Sequence, residues 1–478
     1  MKILHIAAEA VPYAKTGGLA DVVGSLPREL VKRGLDVRVI MPKYRSIPSS
    51  LKKDITFKRM LSVPIGWKNQ YCGIEETTCE GVPFYFVDNE YYFGREGLYG
   101  YWDEAERFVF FCRGVLEALP TLGFSPQIIH CHDWHTGPSG LFLKTHFAEH
   151  PEFNNMKSVF TIHNLNYQGI YPKKVLHELL DLEDEYFIPD GIEFYGKVNF
   201  MKAGLVYSDC LTTVSRTYAR EIMTPFYGVN LEGILQKRSQ DLFGIINGID
   251  YEDYDPMTDP EVFSPYRRSA IKKQKNKVKL QEILNLTKNP ETPVISFISR
   301  LVEQKGLDLI MAVLDEILAM DVQLVVLGTG ECGYEKSLLE KSRLYPGKMS
   351  VNIMFADSLA RKIYAGSDMF LMPSIFEPCG IGQLIALRYG TIPIVRETGG
   401  LKDTVHSFNE FTGEGNGFSF SNINAHDMLY TIKRAVHFYH QKKIWEQLIY
   451  NATRTDYSWK HSAAEYHELY KGLLSSNN

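Results

Sequence analysis

Three segments of the chain combine glycine with charged or polar side chains where a strand is expected to end and a helix to begin. They are Lys15–Gly18, Ser299–Gly306 and Pro373–Gly382. Glycine lets the backbone approach a ligand closely, and the free N–H groups of a helix N-terminus attract an anion. Arg300 and Lys305 add a planar guanidinium and a compact point charge to the second segment. Together the segments predict a site for a phosphate-bearing ligand.

Other polar side chains at predicted strand ends favour recognition of a polar substrate. Glu377 offers an acceptor for sugar hydroxyls or for an arginine. His130–His135 ends one predicted strand, and His163 lies at the carboxyl end of the next. A metal is the weaker interpretation of His130 and His132, because no distant cysteine or acidic residue completes a recognisable zinc pattern. We therefore expect hydrogen bonding to substrate, with no metal and no other cofactor.

The elements that must position these residues are predicted from hydrophobic periodicity. Lys2–Ala8 is typical of a buried strand, the apolar residues from Leu19 to Leu30 have helical spacing, and Val37–Met41 is the next strand. The further predicted strands share short apolar runs: Pro83–Val87, Ile128–Cys131, Ser158–Ile162, Leu211–Val214, Leu242–Ile246, Val294–Ser299, Leu324–Leu327, Val351–Met354, Met369–Met372 and Ile392–Val395. This alternation predicts an α/β fold with two doubly wound, Rossmann-like domains and a ligand cleft between them.

Turn residues divide the predicted domains. Asn247–Asp250 follows the last strand of the first half and places a boundary near residue 245. We thus expect an N-terminal domain over residues 1–245, a C-terminal domain over 246–456 and a terminal segment over 457–478. Ser458–Leu474 is predicted to be helical, and its Trp459, Tyr466 and Tyr470 indicate an apolar packing surface.

Composition excludes several classes of protein. The 478 residues suggest two to three folding units, and 45% hydrophobic with 23% charged residues is typical of a packed globular chain. Lys and Arg number 52 against 57 Asp and Glu, which is not the charge balance of a dedicated nucleic-acid binder. No apolar run reaches the ~18 residues of a membrane span. The seven scattered cysteines contain no C-x-x-C pair and favour the reducing cytoplasm.

Four further patterns are given structural interpretations. Gly328–Gly333 fits G-x-G-x-x-G, but it lies on the second strand–helix unit of its domain, which disfavours NAD. Asp253–Asp255 resembles a metal-binding Asp-x-Asp but lies in a turn-rich linker. The basic residues between 267 and 279 are expected to form a solvated helix face. Cys379, near a helix start, is expected to be a bystander thiol.

Six motifs in register resemble the glycogen and starch synthase family, on its bacterial branch that uses ADP-glucose. The motifs are Lys15–Asp21, His132–His135, Thr161–Asn164, Asn247–Asp250, Ser299–Gly306, and Phe376–Gly380 with Thr398–Gly400. Each motif is weak by itself, but their common order covers residues 1 to about 470.

The resemblance implies a GT-B fold, in which two Rossmann-like domains face a cleft and a C-terminal helix crosses back to the N-terminal domain. It implies transfer of glucose from ADP-glucose to the non-reducing 4-OH of an α-1,4-glucan such as glycogen, with retained configuration and release of ADP. The domain over residues 1–245 would be the acceptor side and that over 246–456 the nucleotide-sugar side. ADP-glucose and the glucan are the implied partners; no nucleic acid or membrane is expected.

The resemblance also assigns roles to residues. Arg300 and Lys305 would act on the leaving diphosphate, Glu377 on sugar hydroxyls, and His163 and Asp133 on the glucosyl unit. The implied substrate-binding residues are Lys15, Gly17, Gly18, Asp21, Asn247, Phe355, Cys379, Gly380, Ile381 and Gly382. Within that set, the lysine and the first two glycines would contact the donor's phosphates, and the phenylalanine would stack on adenine.

Two positions depart from the family pattern, and they concern the donor. Ile375 stands where arginine is expected, and Gly382 replaces a hydroxyl-bearing residue of some relatives. The chief chemical demand is to neutralise charge on the departing diphosphate. A double displacement would require a carboxylate on the opposite sugar face. Because the motif there supplies His163, we expect the acceptor to attack from the face that the diphosphate leaves.

Other functions stay open at this level. A related retaining transferase could use UDP-glucose or a small acceptor, and a glucan-binding protein could keep the fold without turnover. The presence of Lys15, Arg300, Lys305 and Glu377 argues against the second of these. The aromatic segment Tyr91–Trp102 is compatible either with a grip on glucan or with packing.

Overall fold

The computed structural model describes residues 1–475 and divides the chain into two compact units. Unit 1 comprises Met1–Ile245 together with the C-terminal segment that begins at Trp459, and unit 2 comprises Ile246–Ser458. The last three residues of the predicted terminal segment, 476–478, lie outside the described residues. Each unit is organised around its own sheet of parallel strands.

Unit 1 contains twelve strands and ten helices before the boundary. The strands are β1 (Lys2–Ile6), β2 (Asp36–Pro42), β3 (Thr56–Ile65), β4 (Lys68–Cys79), β5 (Val82–Asp88), β6 (Ile128–His132), β7 (Lys157–Ile162), β8 (Ile170–Pro172), β9 (Glu193–Phe194), β10 (Lys197–Asn199), β11 (Cys210–Thr213) and β12 (Leu242–Gly244). The helices are α1 (Gly18–Lys32), α2 (Ser49–Lys52), α3 (Glu90–Phe93), α4 (Glu104–Ala118), α5 (Gly137–Lys144), α6 (Val175–Glu178), α7 (Phe200–Tyr207), α8 (Arg216–Glu221), α9 (Pro225–Gly228) and α10 (Glu232–Lys237).

Unit 2 contains six strands and nine helices. The helices are α11 (Ala270–Ile283), α12 (Leu307–Ala312), α13 (Leu314–Ala319), α14 (Cys332–Leu344), α15 (Asp357–Gly366), α16 (Gly382–Arg388), α17 (Gly399–Thr404), α18 (Ala425–Tyr439) and α19 (Lys442–Arg454). The strands are β13 (Val294–Ile298), β14 (Gln323–Gly328), β15 (Met349–Ile353), β16 (Met369–Met372), β17 (Ile392–Arg396) and β18 (Phe418–Phe420). A final helix, α20 (Trp459–Ser475), belongs to unit 1.

The two main sheets share the order of six strands, since β5-β2-β1-β6-β7-β11 of unit 1 corresponds to β15-β14-β13-β16-β17-β18 of unit 2. In unit 1 the order is β12-β11-β7-β6-β1-β2-β5-β4-β3, and all neighbours pair in parallel except β5 with β4 and β4 with β3. In unit 2 the order is β15-β14-β13-β16-β17-β18, entirely parallel. In each sheet the chain crosses from one side of the first strand to the other, between β1 and β6 in unit 1 and between β13 and β16 in unit 2. We call this point the direction reversal. Ligands of doubly wound folds bind beyond the carboxyl ends of the strands at such a reversal. The predicted pair of Rossmann-like α/β domains is confirmed.

The terminal helix packs on the first helix of unit 1. Val22 and Leu26 of α1 form one apolar cluster with Trp459, Tyr466 and Tyr470 of α20. The apolar spacing that predicted α1 is the face that this cluster buries, so the same residues explain both the helix and its packing. Over residues 1–475, no helix combines the length and the apolarity needed to cross a membrane.

The expectation of a solvated basic face is wrong for two lysines of α11. The Lys273 ammonium is buried and donates to the carbonyl oxygens of Tyr364 and Ala365, both at 2.9 Å. The last carbonyls of a helix lack intrahelical partners, and a cation there is favourable, so this lysine completes the end of α15. The Lys277 ammonium is also buried, 2.8 Å from a carboxylate oxygen of Asp368.

Candidate active site

Two cations follow β13 at the direction reversal of unit 2. Arg300 lies two residues beyond the strand with an exposed side chain, which forms no hydrogen bond or ion pair with any residue in 1–475. Lys305 ends a short 3-10 turn and is largely buried, with 13% of its side chain exposed. One cation is thus free to meet a ligand, while the other is held in place.

Lys305 is held by Glu377. The Nζ atom of Lys305 lies 2.5 Å from Oε2 of Glu377, and the Ser374 hydroxyl donates to the same oxygen at 3.0 Å. The carboxylate is also buried. Because a buried charge requires a partner, the pair fixes both side chains at the carboxyl ends of β13 and β16.

The segment between β16 and α16 is fixed by an arginine that the sequence analysis missed. Arg396, at the end of β17, is buried and donates to the carbonyl oxygens of Ser374 (2.8 Å) and Ile375. Arginine is expected from the resemblance at the position of Ile375, and Arg396 is a guanidinium that reaches the same loop from another strand. Its bonds to Ser374 and Ile375 are to backbone carbonyls, so it shapes the loop. Its place at the carboxyl end of a strand is the signal that could have identified it.

The glycines after Glu377 allow neighbouring backbone segments to approach each other closely. A Cβ atom at Gly400 would lie 2.0 Å from the Cys379 carbonyl oxygen, and one at Gly399 would lie 2.0 Å from the Glu377 carbonyl oxygen. Gly380 has a φ of 75°, a left-handed conformation that favours glycine. The start of α17 is therefore pressed against the loop that carries Glu377.

The first turn of α16 has no side-chain cap. The helix begins at Gly382, as predicted, after the half-buried Ile381, whose side chain cannot accept a hydrogen bond. A Cβ atom at Gly382 would lie 3.0 Å from the Phe370 ring, so a larger residue there would have to displace that ring. The departure from the family pattern at this position is matched by local packing.

Cys379 and Asn247 are buried together beneath this loop. Burial raises the pKa of the Cys379 thiol to about 12, and the backbone of Asn247 forms a hydrogen bond with it. A thiol with a raised pKa is a poor nucleophile. The Asn247 side-chain oxygen is buried without a partner among the described residues. Both residues lie at the base of the Glu377 loop.

Phe355 lies between β15 and α15 with 90% of its surface exposed. An aromatic ring that is free of packing contacts on this scale is available for stacking. Its position follows a parallel strand of the same sheet that carries Arg300 and Lys305.

In unit 1, a buried acid organises the loop that precedes α1. Glu9 accepts hydrogen bonds from the Thr16 amide (2.5 Å), the Thr16 hydroxyl (2.9 Å) and the Tyr99 hydroxyl (3.0 Å). Burial raises the pKa of Glu9, and these hydrogen bonds oppose that shift. The sequence analysis missed this residue, although an acid that directly follows an apolar strand was the available signal.

The loop that Glu9 holds is itself exposed. The Lys15 ammonium lies 2.7 Å from Oδ1 of Asp21, and both side chains keep solvent contact. No atom lies within 4 Å of the Cβ position at Gly17, and α1 begins at the exposed Gly18. This backbone is accessible to a ligand, and the lysine must exchange its aspartate partner to bind one.

Asp133 and His163 meet at the carboxyl ends of β6 and β7. Oδ1 of Asp133 accepts hydrogen bonds from the backbone amides of His163 (2.7 Å) and Asn164 (3.4 Å). Burial raises the pKa of Asp133 to about 7. Its backbone has a φ of 58°, which is uncommon for a residue other than glycine. The carboxyl group thus positions the His163 backbone.

The predicted histidines lie in a larger buried group that includes His5 of β1. The nitrogens of His5, His130 and His132 lie within 4.8 Å of one another, a spacing compatible with a metal. Two of these rings, however, are stacked: His130 and His132 have centroids 4.2 Å apart at an interplanar angle of 27°. Lone pairs lie in the ring planes, so stacked rings do not converge on one ion. Both nitrogens of His130 and of His132 are already hydrogen-bonded.

The Asp253–Asp255 and Gly328–Gly333 patterns are both explained by contacts within unit 2. The Asp253 carboxylate lies 2.9 Å from the Arg361 guanidinium and the Asp255 carboxylate 2.7 Å from Arg388, so both acids are paired. A Cβ atom at Gly328 would lie 1.8 Å from the Ser299 carbonyl oxygen. That glycine is required by neighbouring backbone.

The aromatic segment over residues 91–102 divides into packed and exposed rings. Tyr92 and Phe93 are fully buried in unit 1. Tyr91 and Trp102 are 58% and 86% exposed. Packing accounts for the first pair and leaves the second pair available to a ligand.

Both halves of the chain match described families. Residues 2–237 match the family described as starch synthase catalytic domain, and residues 279–455 match the family described as glycosyl transferases group 1. Two proteins named Glycogen synthase are close relatives. The one from Desulforamulus reducens is 57% identical over 99% of both chains, and the one from Anoxybacillus flavithermus is 53% identical over 100% of this chain and 99% of its own.

Solved structures show the same likeness. The catalytic domain of Starch Synthase IV from Arabidopsis thaliana, bound to ADP and acarbose, has a TM-score of 0.92 and 33% identity over 99% of each chain. A sucrose-phosphate synthase from Thermosynechococcus elongatus has a TM-score of 0.63 and 16% identity over 100% of each chain, which is a likeness of fold alone.

Proposed function

Because the chain belongs to the glycogen and starch synthase family of GT-B glycosyltransferases, we propose that it elongates an α-1,4-glucan from ADP-glucose. The glucosyl unit passes to the 4-OH at the non-reducing end with retained configuration, and ADP leaves. The observation that carries this proposal is the set of Arg300, Lys305 and Glu377 at the direction reversal of unit 2. These are charged groups at the edge where a doubly wound sheet binds phosphates.

The leaving group determines the roles of the two cations. When the glycosyl–phosphate bond breaks, negative charge grows on the diphosphate oxygens, and positive groups already in position stabilise it without reorganisation. Lys305 is pre-positioned by Glu377, and Arg300 has five donors with no partner to exchange. Lys15 and the exposed Gly18 amide at the start of α1 add further donors for phosphate. We propose that these groups supply the charge that Mg²⁺ provides in other transferases.

The glucosyl unit is neutral and is recognised by hydrogen bonds. His163, positioned through Asp133, contacts the glucosyl hydroxyls in this proposal, and Glu377 accepts from them while it holds Lys305. With an imidazole rather than a carboxylate beside the sugar, the acceptor hydroxyl attacks from the face that the diphosphate leaves. Its proton then passes to an oxygen of the departing phosphate.

An adenine nucleotide fits the exposed Phe355 ring. A purine presents a larger face than a pyrimidine and gains more from stacking on a phenyl ring. Support comes from the Arabidopsis relative, which was solved with ADP. The seven unpaired thiols are those expected in the reducing cytoplasm, where we place the protein.

The test is a donor panel with glycogen as acceptor. Nucleoside diphosphate release is measured with ADP-glucose and with UDP-glucose, with and without EDTA. We expect a higher kcat/KM for ADP-glucose and no loss with EDTA. Lys305→Ala should abolish most release, whereas Lys341→Ala, which removes a lysine from an exposed ion pair of unit 2, should not. Equal kcat/KM for both donors would refute the adenine assignment. Loss with EDTA that is restored by Mg²⁺ would refute the role given to the cations.

A further inference from the structure

Three histidines form a continuous hydrogen-bonded chain in unit 1. Nδ1 of His5 lies 2.9 Å from Nε2 of His132, and Nδ1 of His132 lies 3.0 Å from Nε2 of His163. The three residues come from β1, β6 and the segment that follows β7. The first link therefore crosses the direction reversal of the sheet, and the chain ends at the residue assigned to the glucosyl unit.

The two ends of this chain differ in their surroundings. Nε2 of His5 is fully buried and has no hydrogen-bond partner in residues 1–475. Nδ1 of His163 also has no hydrogen-bond partner in these residues, but this atom keeps some contact with solvent. The inner end is closed, and the outer end is open to a ligand.

All three rings are neutral at physiological pH. Burial lowers the pKa of His5 and of His163 to about 3 and holds the pKa of His132 well below its ordinary value. A neutral imidazole carries one N–H and one lone pair. Each hydrogen bond of the chain needs one N–H and one lone pair, so the tautomer of His132 determines the tautomers of His5 and His163.

Only two proton arrangements satisfy both links. In one, each ring donates toward His163, so that His163 carries its hydrogen on Nδ1 and His5 keeps a bare Nε2 lone pair inside. In the other, each ring donates toward His5, which leaves an Nε2–H donor buried without an acceptor. Orphaned buried N–H groups are rarer than under-satisfied acceptors, which favours the first arrangement.

We propose that His5 and His132 are positioning residues that hold His163 in the tautomer with hydrogen on Nδ1, so that it donates to an oxygen of the glucosyl unit. The inference rests on the proposed function, because that function places His163 beside the sugar. In this tautomer His163 offers substrate a hydrogen and no lone pair, so it acts as a hydrogen-bond donor and not as a general base.

The first test observes the tautomer directly. Full-length protein labelled with ¹⁵N-histidine is examined by long-range ¹H–¹⁵N NMR, with the His163 signals assigned by their loss in His163→Asn. We expect a protonated Nδ1 and an unprotonated Nε2 in the free protein. A protonated Nε2 would overturn the inference, and neither result depends on whether the protein transfers glucose.

The second test separates positioning from packing. In His132→Asn the amide nitrogen can replace Nδ1 as the donor to His163, whereas His132→Leu removes that donor. We expect kcat to fall about 10- to 100-fold in the leucine variant, by analogy with the loss of a hydrogen bond that orients a metal-bound histidine, and to recover most of that loss in the asparagine variant. KM for ADP-glucose should change less than kcat. Equal kcat in the two variants would refute the role.

Tyr470→Phe is the matched control. Its hydroxyl bonds Nδ1 of His130 at 2.7 Å, next to the chain but outside it. We expect a lower melting temperature with kcat retained. If Tyr470→Phe lost as much kcat as His132→Leu, the loss in His132→Leu would be explained by disturbed packing and not by the position of His163. Should the leucine variant not fold, His5→Asp replaces the inner donor with an acceptor for Nε2–H of His132, and the NMR experiment should then detect His163 with hydrogen on Nε2. An unchanged tautomer in His5→Asp would also contradict the inference.

Discussion

The two units have the same strand order around their direction reversals but place opposite kinds of chemistry there. Unit 2 presents full charges, with Arg300 exposed and Lys305 paired to a buried Glu377. Unit 1 presents the neutral imidazoles of His132 and His163 in a buried hydrogen-bonded chain. A departing diphosphate requires charge, whereas sugar hydroxyls require oriented donors and acceptors. One scaffold can thus serve two halves of a reaction through the residues at its strand ends.

The largest expected difference between the units is their response to acid. Five buried histidines of unit 1 have lowered pKa values: His5, His130, His132, His135 and His163. A lowered folded pKa gives stability that is present above the unfolded value, about 6.5, and is lost as the pH falls below it. Each such histidine contributes up to about 1.4 kcal/mol per pH unit. All four histidines of unit 2 are exposed.

Two carboxyl groups of unit 1 oppose this trend but are outnumbered. The pKa of Asp133 is raised to about 7 and that of Glu9 is also raised, so their contribution is present at low pH and lost as the pH rises. Hydrogen exchange of the full chain at pH 7.0 and 5.5, corrected for intrinsic rates, should show protection lost from β1, β6 and β7 before β13 and β16. Equal loss in both units would contradict this contrast.

The next largest effect is expected at the two cations. Arg300→Ala and Lys305→Ala should each lower kcat about 10²–10³-fold, or ~2.7–4 kcal/mol, because each loses a preorganised group that stabilises the transition state. KM for ADP-glucose should change less. Lys15→Ala should cost only about 1 kcal/mol or less, since that exposed lysine is already paired. Steady-state kinetics measures all three. A raised KM with wild-type kcat would show ground-state binding instead.

Stability should distinguish the same two cations. Lys305→Met leaves the buried Glu377 carboxylate without its charged partner, which costs about 3–5 kcal/mol, whereas Arg300→Ala should leave the melting temperature unchanged. The double variant Lys305→Met with Glu377→Gln should recover the stability but not the activity. Calorimetry measures the melting temperatures of the wild type, the two single variants and the double variant. If Lys305→Met melted like the wild type, the ion pair would not matter for the fold.

The smallest effect is expected at the adenine ring. Phe355→Leu should raise KM for ADP-glucose by a factor that corresponds to about 1 kcal/mol, with kcat retained, because stacking acts before and after bond cleavage alike. The 92% exposed Phe411 supplies the control, and Phe411→Leu should change nothing. The adenine assignment fails if both variants behave alike.

Most parallel strands were predictable because parallel strands are buried on both faces. Every residue of β6 is buried, and such a run stands out as continuous apolar sequence. The antiparallel pair β3 and β4 was missed. In β3 only Val63 and Ile65 are buried, while Phe57 and Met60 are about two-thirds exposed. An edge hairpin of this kind shows neither an apolar run nor a clean alternation.

The site was predictable where its residues follow strands in short motifs. Arg300, Lys305 and Glu377 were identified in this way, but their pairing was not, because 72 residues separate Lys305 from Glu377. Arg396 was missed as well, although only 22 residues separate it from Ser374, because its contact with the Glu377 loop depends on β16 and β17 being adjacent. Burial of Lys273 was also missed, since a lysine beside a helix end cannot be distinguished by sequence from one in solvent.

The sequence by itself determined most of the parallel strands, the helices that follow them and the identity of the groups at the strand ends. Local periodicity and turn residues carry that information, because each depends on neighbours within a few positions. Only the tertiary structure decided which of those groups meet. His5 and His132 are 127 residues apart and lie 2.9 Å from each other because β1 and β6 are adjacent at the direction reversal. Which charges are paired, which imidazoles are neutral and which nitrogen faces the ligand all depend on burial, and burial is a property of the packed sheet.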